Sequence, residues 1–94
     1  MPYTKQERRA DLDEIAIEAA ATLHLMKDEQ GDLNYFITRV GVHLLARQKM
    51  GYTTASHIRA GFDDASAEWY RRVMAPYEDI KCTENGDVYD HEIL

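Results

Sequence analysis

The sequence predicts an all-α protein: a bundle of three main helices followed by a short C-terminal helix after Pro76, with copies of the chain forming a homo-oligomer. Two observations predict this fold class. Apolar residues recur at spacings of three and four along three successive segments, and glycine or proline interrupts the pattern. The length corresponds to one domain, 1–94, and residues 90–94 are expected to form a frayed tail.

The first helix is predicted from about Lys5 to Asp28. Gly31 then breaks the pattern. Asp32 is expected to cap the second helix, because a short acidic side chain accepts a hydrogen bond from the free N–H groups of a first turn. The apolar residues of the first helix share one face, and they are Leu12, Ile15, Ala16, Ala19, Leu23 and Met26.

The second helix is expected to end at Gly51, and the third to begin near Thr53 or Thr54. Gly41 and Gly61 lie inside these helices, where glycine costs roughly 1 kcal/mol relative to alanine, so we expect close helix contacts at both. The apolar stripes are Leu33, Phe36, Ile37, Val40, Leu44 and Leu45 in the second helix, and Ile58, Phe62, Ala65, Trp69 and Val73 in the third.

Pro76 is predicted to be a joint between two helices. Its ring clashes with the carbonyl four residues earlier, so the third helix is expected to end near Met74. A short helix then covers about residues 77–83 and stops at Asn85-Gly86. The alternative is a hairpin, in which Asn85-Gly86 turns between the strands IKCTE and DVY.

Composition limits the classes of partner. With a net charge of −6 and a pI near 5.1, the chain lacks the field that draws proteins onto DNA or anionic membranes. We therefore expect no general DNA binding and no membrane binding. The single cysteine, Cys82, cannot form an internal disulfide and fits a reducing cytosol. A polar N-terminal segment and the lack of a long apolar run also favour a cytoplasmic protein.

Three blocks of sequence resemble a family of small proteins found mainly in tailed phages and in some prokaryotes. The blocks are PYTKQERR at 2–9, GDLNYFITR at 31–39 and EWYRRVMAPYEDIKCTENGDVY at 68–89, and together they cover about two fifths of the chain. The family is a domain of unknown function. The resemblance therefore implies a phage or prophage setting, and it implies no particular activity or site residue.

The second helix carries the first group of candidate ligand-binding residues. Tyr35, Arg39, His43 and Arg47 follow one another at intervals of four, so they lie along one side of the helix. Arginine can form a forked pair with a phosphate, and tyrosine can stack on a base. This combination fits a nucleotide-like ligand. The alternative is a solvated or interhelical face that pairs with carboxylates of other helices.

A second group surrounds the proline and consists of Tyr70, Arg71, Arg72 and Tyr77. Pro76 would hold Tyr77 at a fixed angle to the preceding helix, which permits either a packed corner or a binding surface. Metal binding is not expected, because no histidine or cysteine spacing typical of metal sites occurs.

The leading functional hypothesis is a non-enzymatic, phage-type accessory protein that sequesters a nucleotide-derived host immune signal in the cytoplasm of the host bacterium. Its partners would be other copies of the chain and a small nucleotide, and no cofactor is expected. One alternative is an acidic inhibitor or adaptor of a host protein. The other is a magnesium-dependent nucleotide hydrolase, for which Glu14, Glu18, Asp63, Asp64 and Glu68 supply the carboxylates.

Overall fold

The computed structural model describes residues 3–89, and every regular element in that part of the chain is helical. A 3₁₀ turn, Gln6–Arg8, leads into α1, Arg9–Leu25, and α2 spans Glu29–Ala46. After a short connection come α3, Tyr52–Trp69, a π-helical segment, Tyr70–Met74, and α4, Ala75–Asn85. The predicted all-α class is confirmed. The expected tail at 90–94 lies outside the described residues.

The chain divides into two units between Ala55 and Ser56. In the first unit, α1 packs against α2 across the turn at residues 26–28. The second unit contains most of α3, the π segment and α4, which follow one another without a break in the helical hydrogen-bonded backbone. None of the helices in residues 3–89 combines the length and the apolar content that a membrane span requires.

Asp28 caps α2, so the prediction of Asp32 was wrong. The Asp28 carboxylate accepts a hydrogen bond from the Gly31 N–H at 3.0 Å, and the backbone N–H of Asp28 donates to the Asp32 carboxylate at 3.3 Å. These reciprocal bonds resemble a capping box. Gly31 is therefore the first-turn donor rather than a helix breaker. A Cβ on Gly31 would overlap the Asp28 carboxylate, so a side chain there would have to displace the capping group.

The connection between α2 and α3 is longer than predicted. α2 ends at Ala46, five residues before Gly51, and the backbone N–H of Arg47 closes the last turn on the carbonyls of His43 and Leu44. Gly51 instead precedes α3 directly, and its carbonyl accepts the N–H of Ala55 at 3.1 Å. The glycine therefore marks the start of the next helix, close to the predicted start of α3.

The helix does not end at Pro76, which corrects the predicted joint. Helical backbone runs through the π segment, and Pro76 occupies the second position of α4. A proline lacks the N–H needed for an α-helical bond and its ring clashes with the carbonyl one turn earlier. A π turn widens the helix and moves that carbonyl, so the helix continues without the break that an α-helical interior would suffer.

The end of α4 agrees with the predicted stop. Gly86 adopts φ of +89°, a conformation that residues with a side chain rarely adopt, and its N–H donates to the Cys82 carbonyl at 2.9 Å. Residues 80–84, which the hairpin alternative placed in a strand, are helical. The hairpin alternative is therefore wrong, because IKCTE belongs to the same helix as Pro76 and Tyr77.

The predicted apolar stripes are not buried within the chain. No apolar side chain in residues 3–89 is buried. Among the exposed large residues of the α2 and α3 stripes, the exposed fraction of the residue ranges from 37% for Phe36 to 62% for Trp69. Gly41 is buried, as expected for a close contact. A Cβ on Gly61 would meet no atom within 4 Å, so no neighbour in the described chain requires glycine at that position.

The cap of α2 predicts that the effect of Gly31→Ala on the free energy of unfolding depends on whether Asp28 is present. A double-mutant cycle can measure this dependence. In the wild-type background, Gly31→Ala should gain roughly 1 kcal/mol of helix propensity and lose a cap worth about 0.5–2 kcal/mol, so the free energy of unfolding should change little or fall. In an Asp28→Ala background the cap is already absent, and Gly31→Ala should stabilise the protein.

Chemical denaturation of the four variants measures the coupling between the two positions. Equal effects of Gly31→Ala in both backgrounds would show that Asp28 and Gly31 do not interact. Gly51→Ala serves as a control glycine substitution, because a Cβ there meets nothing within 4 Å.

Candidate functional site

The four α2 candidates lie on one side of the helix because they follow one another at intervals of four. Within this group, an Arg39 guanidinium nitrogen lies 3.1 Å from His43 Nε2. A guanidinium can only donate, so His43 Nε2 is the acceptor and the imidazole proton sits on Nδ1. This contact joins two exposed side chains one turn apart on the surface of α2. Arg47 follows at the C-cap, one residue beyond the helix.

A groove of about 420 Å³ runs between α1 and α2, and we call it the α1–α2 groove. Tyr35 and Arg39 line it together with the aromatic ring of Phe36. Two carboxylates, those of Glu18 and Asp32, also line it. The remaining lining residues are small or apolar, namely Ile15, Ala19, Thr22 and Leu23 of α1 and Met26 at its C-cap. The groove can therefore accept a flat apolar group beside one cation.

A second depression of about 400 Å³ lies along α2, and we call it the α2 groove. Its polar lining consists of Arg39, His43 and Arg47, and its floor is apolar, formed by Phe36, Val40 and Leu44. Arg39 and Phe36 line both grooves. The structure thus places all four α2 candidates on two adjoining grooves, with Arg39 where the grooves meet.

The second candidate group pairs largely with carboxylates of its own unit. The Tyr70 hydroxyl donates to the Glu78 carboxylate at 2.7 Å, and the Arg71 guanidinium forms a two-bond contact with Glu68 at 2.8 and 3.3 Å. The ammonium of Lys81 lies 5.6 Å from the centre of the Tyr77 ring. This arrangement is that of an internally paired helix surface around the π segment. Arg72 is exposed on the same segment.

The pairing with Glu78 raises the pKa of Tyr70 above its ordinary value. The main cause is the hydrogen bond to the Glu78 carboxylate, followed by the charge of the same carboxylate, since both favour the protonated phenol. Tyr70 therefore stays a hydrogen-bond donor throughout the neutral range.

Two of the five carboxylates of the hydrolase alternative, Asp63 and Glu68, have arginine partners. Asp63 lies 3.8 Å from Arg59, and Glu68 is engaged by Arg71. Within residues 3–89 no group of three or more histidine, cysteine or carboxylate side chains converges as a metal ion would require. Asp63 and Glu68 are therefore paired with arginines on the helix surface.

Two parts of this site were not predicted. The apolar residues of α1 were predicted only to share one face of that helix, and Glu78 was not recognised as the partner of Tyr70. The Asp28 cap did have a signal in the sequence, because Asp28 stands three residues before a glycine and four before a second aspartate. The Tyr70–Glu78 contact had no comparable signal in the sequence. Residues eight apart are more than two turns apart on a regular α-helix, so they are not expected to meet.

Comparison with known proteins places the chain in one family. A family model described as a domain of unknown function, DUF6899, matches residues 1–88. The chain belongs to the DUF6899 family. The match covers the first two sequence blocks, the third block up to residue 88, and both candidate groups. No curated protein and no solved structure matches the chain.

The Tyr70–Glu78 bond predicts an upward-shifted titration. Tyr70 should deprotonate at a higher pH than tyrosines without an acidic partner, measured by absorbance near 295 nm and assigned by its loss in Tyr70→Phe. Because the folded-state pKa is raised, the stabilisation by this bond is complete below the unfolded-state value and disappears as the pH rises through the folded-state pKa. Glu78→Gln should bring the titration back towards the ordinary range. An unchanged titration in Glu78→Gln would rule out this cause.

Proposed function

We propose that this member of the DUF6899 family is a non-enzymatic binding protein that works as a homo-oligomeric helical bundle. The support for association is the exposure of its apolar stripes, because helices of this length gain most of their stability from packing an apolar face. A chain of fewer than 100 residues also has little core of its own. Further copies of the chain would supply the missing cover.

The ligand we propose is a small phosphate-bearing molecule with an aromatic ring, that is, a nucleotide. One observation carries this proposal: Arg39 lies where two grooves meet, held by His43 at 3.1 Å, with aromatic rings on one side and Arg47 on the other. Guanidinium groups bind phosphates through forked hydrogen bonds, and tyrosine or phenylalanine rings stack on bases. A second copy of the chain could close the open side of the grooves.

The biological role we propose is sequestration of a nucleotide-derived host immune signal in the cytoplasm of the host bacterium. The support is the resemblance of three sequence blocks to proteins carried mainly by phages. Arginines and aromatic rings are enough to hold a nucleotide without altering it. This role needs tight binding and no turnover.

A second candidate is an acidic adaptor that inhibits a basic host protein. The observation that favours it is the net charge of −6, much of it on exposed carboxylates of α1, α3 and α4. Opposite charge accelerates encounter with a basic partner and makes the association sensitive to salt.

The proposed homo-oligomer predicts a mass in solution that exceeds the mass of one chain. Light scattering at micromolar concentration should give at least twice the chain mass of 10.9 kDa. The mass should hold in moderate salt, because apolar burial rather than surface charge drives it. A protein that stays at 10.9 kDa up to high concentration contradicts the homo-oligomer.

The proposed ligand class predicts binding without turnover. Calorimetry with a panel of cyclic dinucleotides and ADP-ribose derivatives should reveal a tight ligand that is recovered chemically unchanged after heat release. Arg39→Ala should weaken its binding by roughly 1.5–3 kcal/mol, the range for a hydrogen bond to a charged group. Arg59→Ala removes an exposed arginine of the other unit and should leave the affinity unchanged.

Other outcomes of the same panel favour the alternatives. Magnesium-dependent turnover that is lost in Glu68→Ala favours the hydrolase. If no nucleotide binds and salt-sensitive binding to a purified basic host protein is found, the adaptor is favoured and the arginines of α2 are structural.

A further inference from the structure

The apolar residues of α3 and α4 follow a seven-residue repeat with one interruption. Up to Trp69 they alternate at spacings of four and three, and after Val73 they do so again. Between Trp69 and Val73 the repeat requires a spacing of three, and the sequence has four. One extra residue is therefore inserted at this place. The residues before it are Ile58, Phe62, Ala65 and Trp69, and those after it are Val73, Tyr77 and Ile80.

The π segment occupies the same place as the extra residue. It spans Tyr70–Met74, and a π turn accommodates one residue more than an α turn. The Tyr70–Glu78 hydrogen bond gives independent evidence. Eight residues apart on a regular α-helix, the two side chains would point in directions about 80° apart. With one residue absorbed by the π segment, the separation corresponds to about two turns, and the 2.7 Å bond forms.

The insertion therefore keeps apolar residues on one line. An uninterrupted repeat after Trp69 would place Arg72, Pro76 and Asp79 on that line, and these residues are unsuited to an apolar contact. With the π segment, the line continues through Val73, Tyr77 and Ile80. We call the line from Ile58 to Ile80 the seam. It lies wholly within the second unit.

The seam is exposed in the chain and large enough for a specific interface. The exposed fractions are 40% for Phe62, 62% for Trp69, 60% for Tyr77 and 56% for Ile80. Since an aromatic side chain can bury 150–250 Å², the seams of two copies offer roughly 1,000 Å² in total, about the minimum for a specific protein–protein interface.

We propose that the seam binds the same seam of a second copy, with the two helices antiparallel. The inference rests on the proposed homo-oligomer and assigns its contact surface. The π segment is then the device that keeps the contact continuous past the extra residue. A two-fold axis near Arg71, the midpoint between Phe62 and Ile80, relates the two copies.

Side-chain size supports the antiparallel direction. About this midpoint Trp69 faces Val73 of the partner subunit, Ala65 faces the partner's Tyr77, and Phe62 faces the partner's Ile80. Each pair joins a larger and a smaller side chain, which fills space evenly. A parallel pair would set Trp69 against its own copy and leave a gap between two alanines, at a cost in packing.

Substitution in the seam tests the contact. Trp69→Glu and, separately, Ile80→Glu should reduce the mass in solution by at least half, with helicity by circular dichroism checked at the same concentration. Ile17→Glu is the matched control, because Ile17 is 71% exposed on α1 and lies outside the seam. If the wild type is oligomeric and both seam variants keep its mass, the seam is wrong while the proposed oligomer stands. A monomeric wild type overturns both.

A spin label on the single cysteine can show whether the two helices are antiparallel or parallel. Cys82 is exposed and lies eleven residues from Arg71, so spin labels on two antiparallel copies should be about 33 Å apart at 1.5 Å per residue. In a parallel pair they would lie roughly 10–20 Å apart, since packed helix axes are 8–10 Å apart. Electron–electron dipolar spectroscopy of labelled wild-type protein distinguishes the two. A distance in the shorter range overturns the antiparallel arrangement, and loss of the 33 Å distance in Trp69→Glu ties it to the seam.

Discussion

Apolar stripes run along the helices of this protein, and the chain itself covers little of them. Apolar burial is the largest favourable term in folding, at about 25 cal/mol per Å². The surface ion pairs, such as Lys81–Glu84 at 3.0 Å, contribute at most about 1 kcal/mol each. Helix caps and intrahelical pairs therefore fix where helices begin and how they are phased, and they cannot replace a buried core. Covering the stripes is the requirement that the proposed assembly, seam and ligand grooves all address.

Local hydrogen bonds determine which residues share a surface. The cap at Asp28 fixes where α2 begins, and the spacing of four places Arg39 and His43 together on the side of α2 that lines the α2 groove. The π segment between α3 and α4 brings the Tyr70 hydroxyl to the Glu78 carboxylate and keeps the apolar residues of the seam on one line. At the π segment, a few residues of irregular backbone set the direction of the side chains that follow.

The sequence predicted the helices better than their joints. Period alone placed α1, α2 and α3, because apolar spacing reflects one helical face. It misplaced the cap, since Asp28 and Asp32 are both acceptable caps and the choice depends on the Gly31 N–H. It also missed the π segment, because the rule for proline assumes α-helical geometry around Pro76. The spacing of four placed Arg39 and His43 on one side of α2, where they lie 3.1 Å apart. The α1–α2 groove depends on the path of α1, which no local pattern encodes.

The two grooves differ in charge, and this difference orients the proposed ligand. The α1–α2 groove contains the carboxylates of Glu18 and Asp32, and Asp32 already accepts the backbone N–H of Asp28. The described lining of the α2 groove contains Arg39, His43 and Arg47 and no acidic residue. A phosphate in the α2 groove is therefore farther from the carboxylates of Glu18 and Asp32, and it can accept hydrogen bonds from the guanidinium groups of Arg39 and Arg47. The aromatic ring of a nucleotide then extends past Phe36, which lines both grooves, towards Tyr35 and the apolar wall that α1 provides.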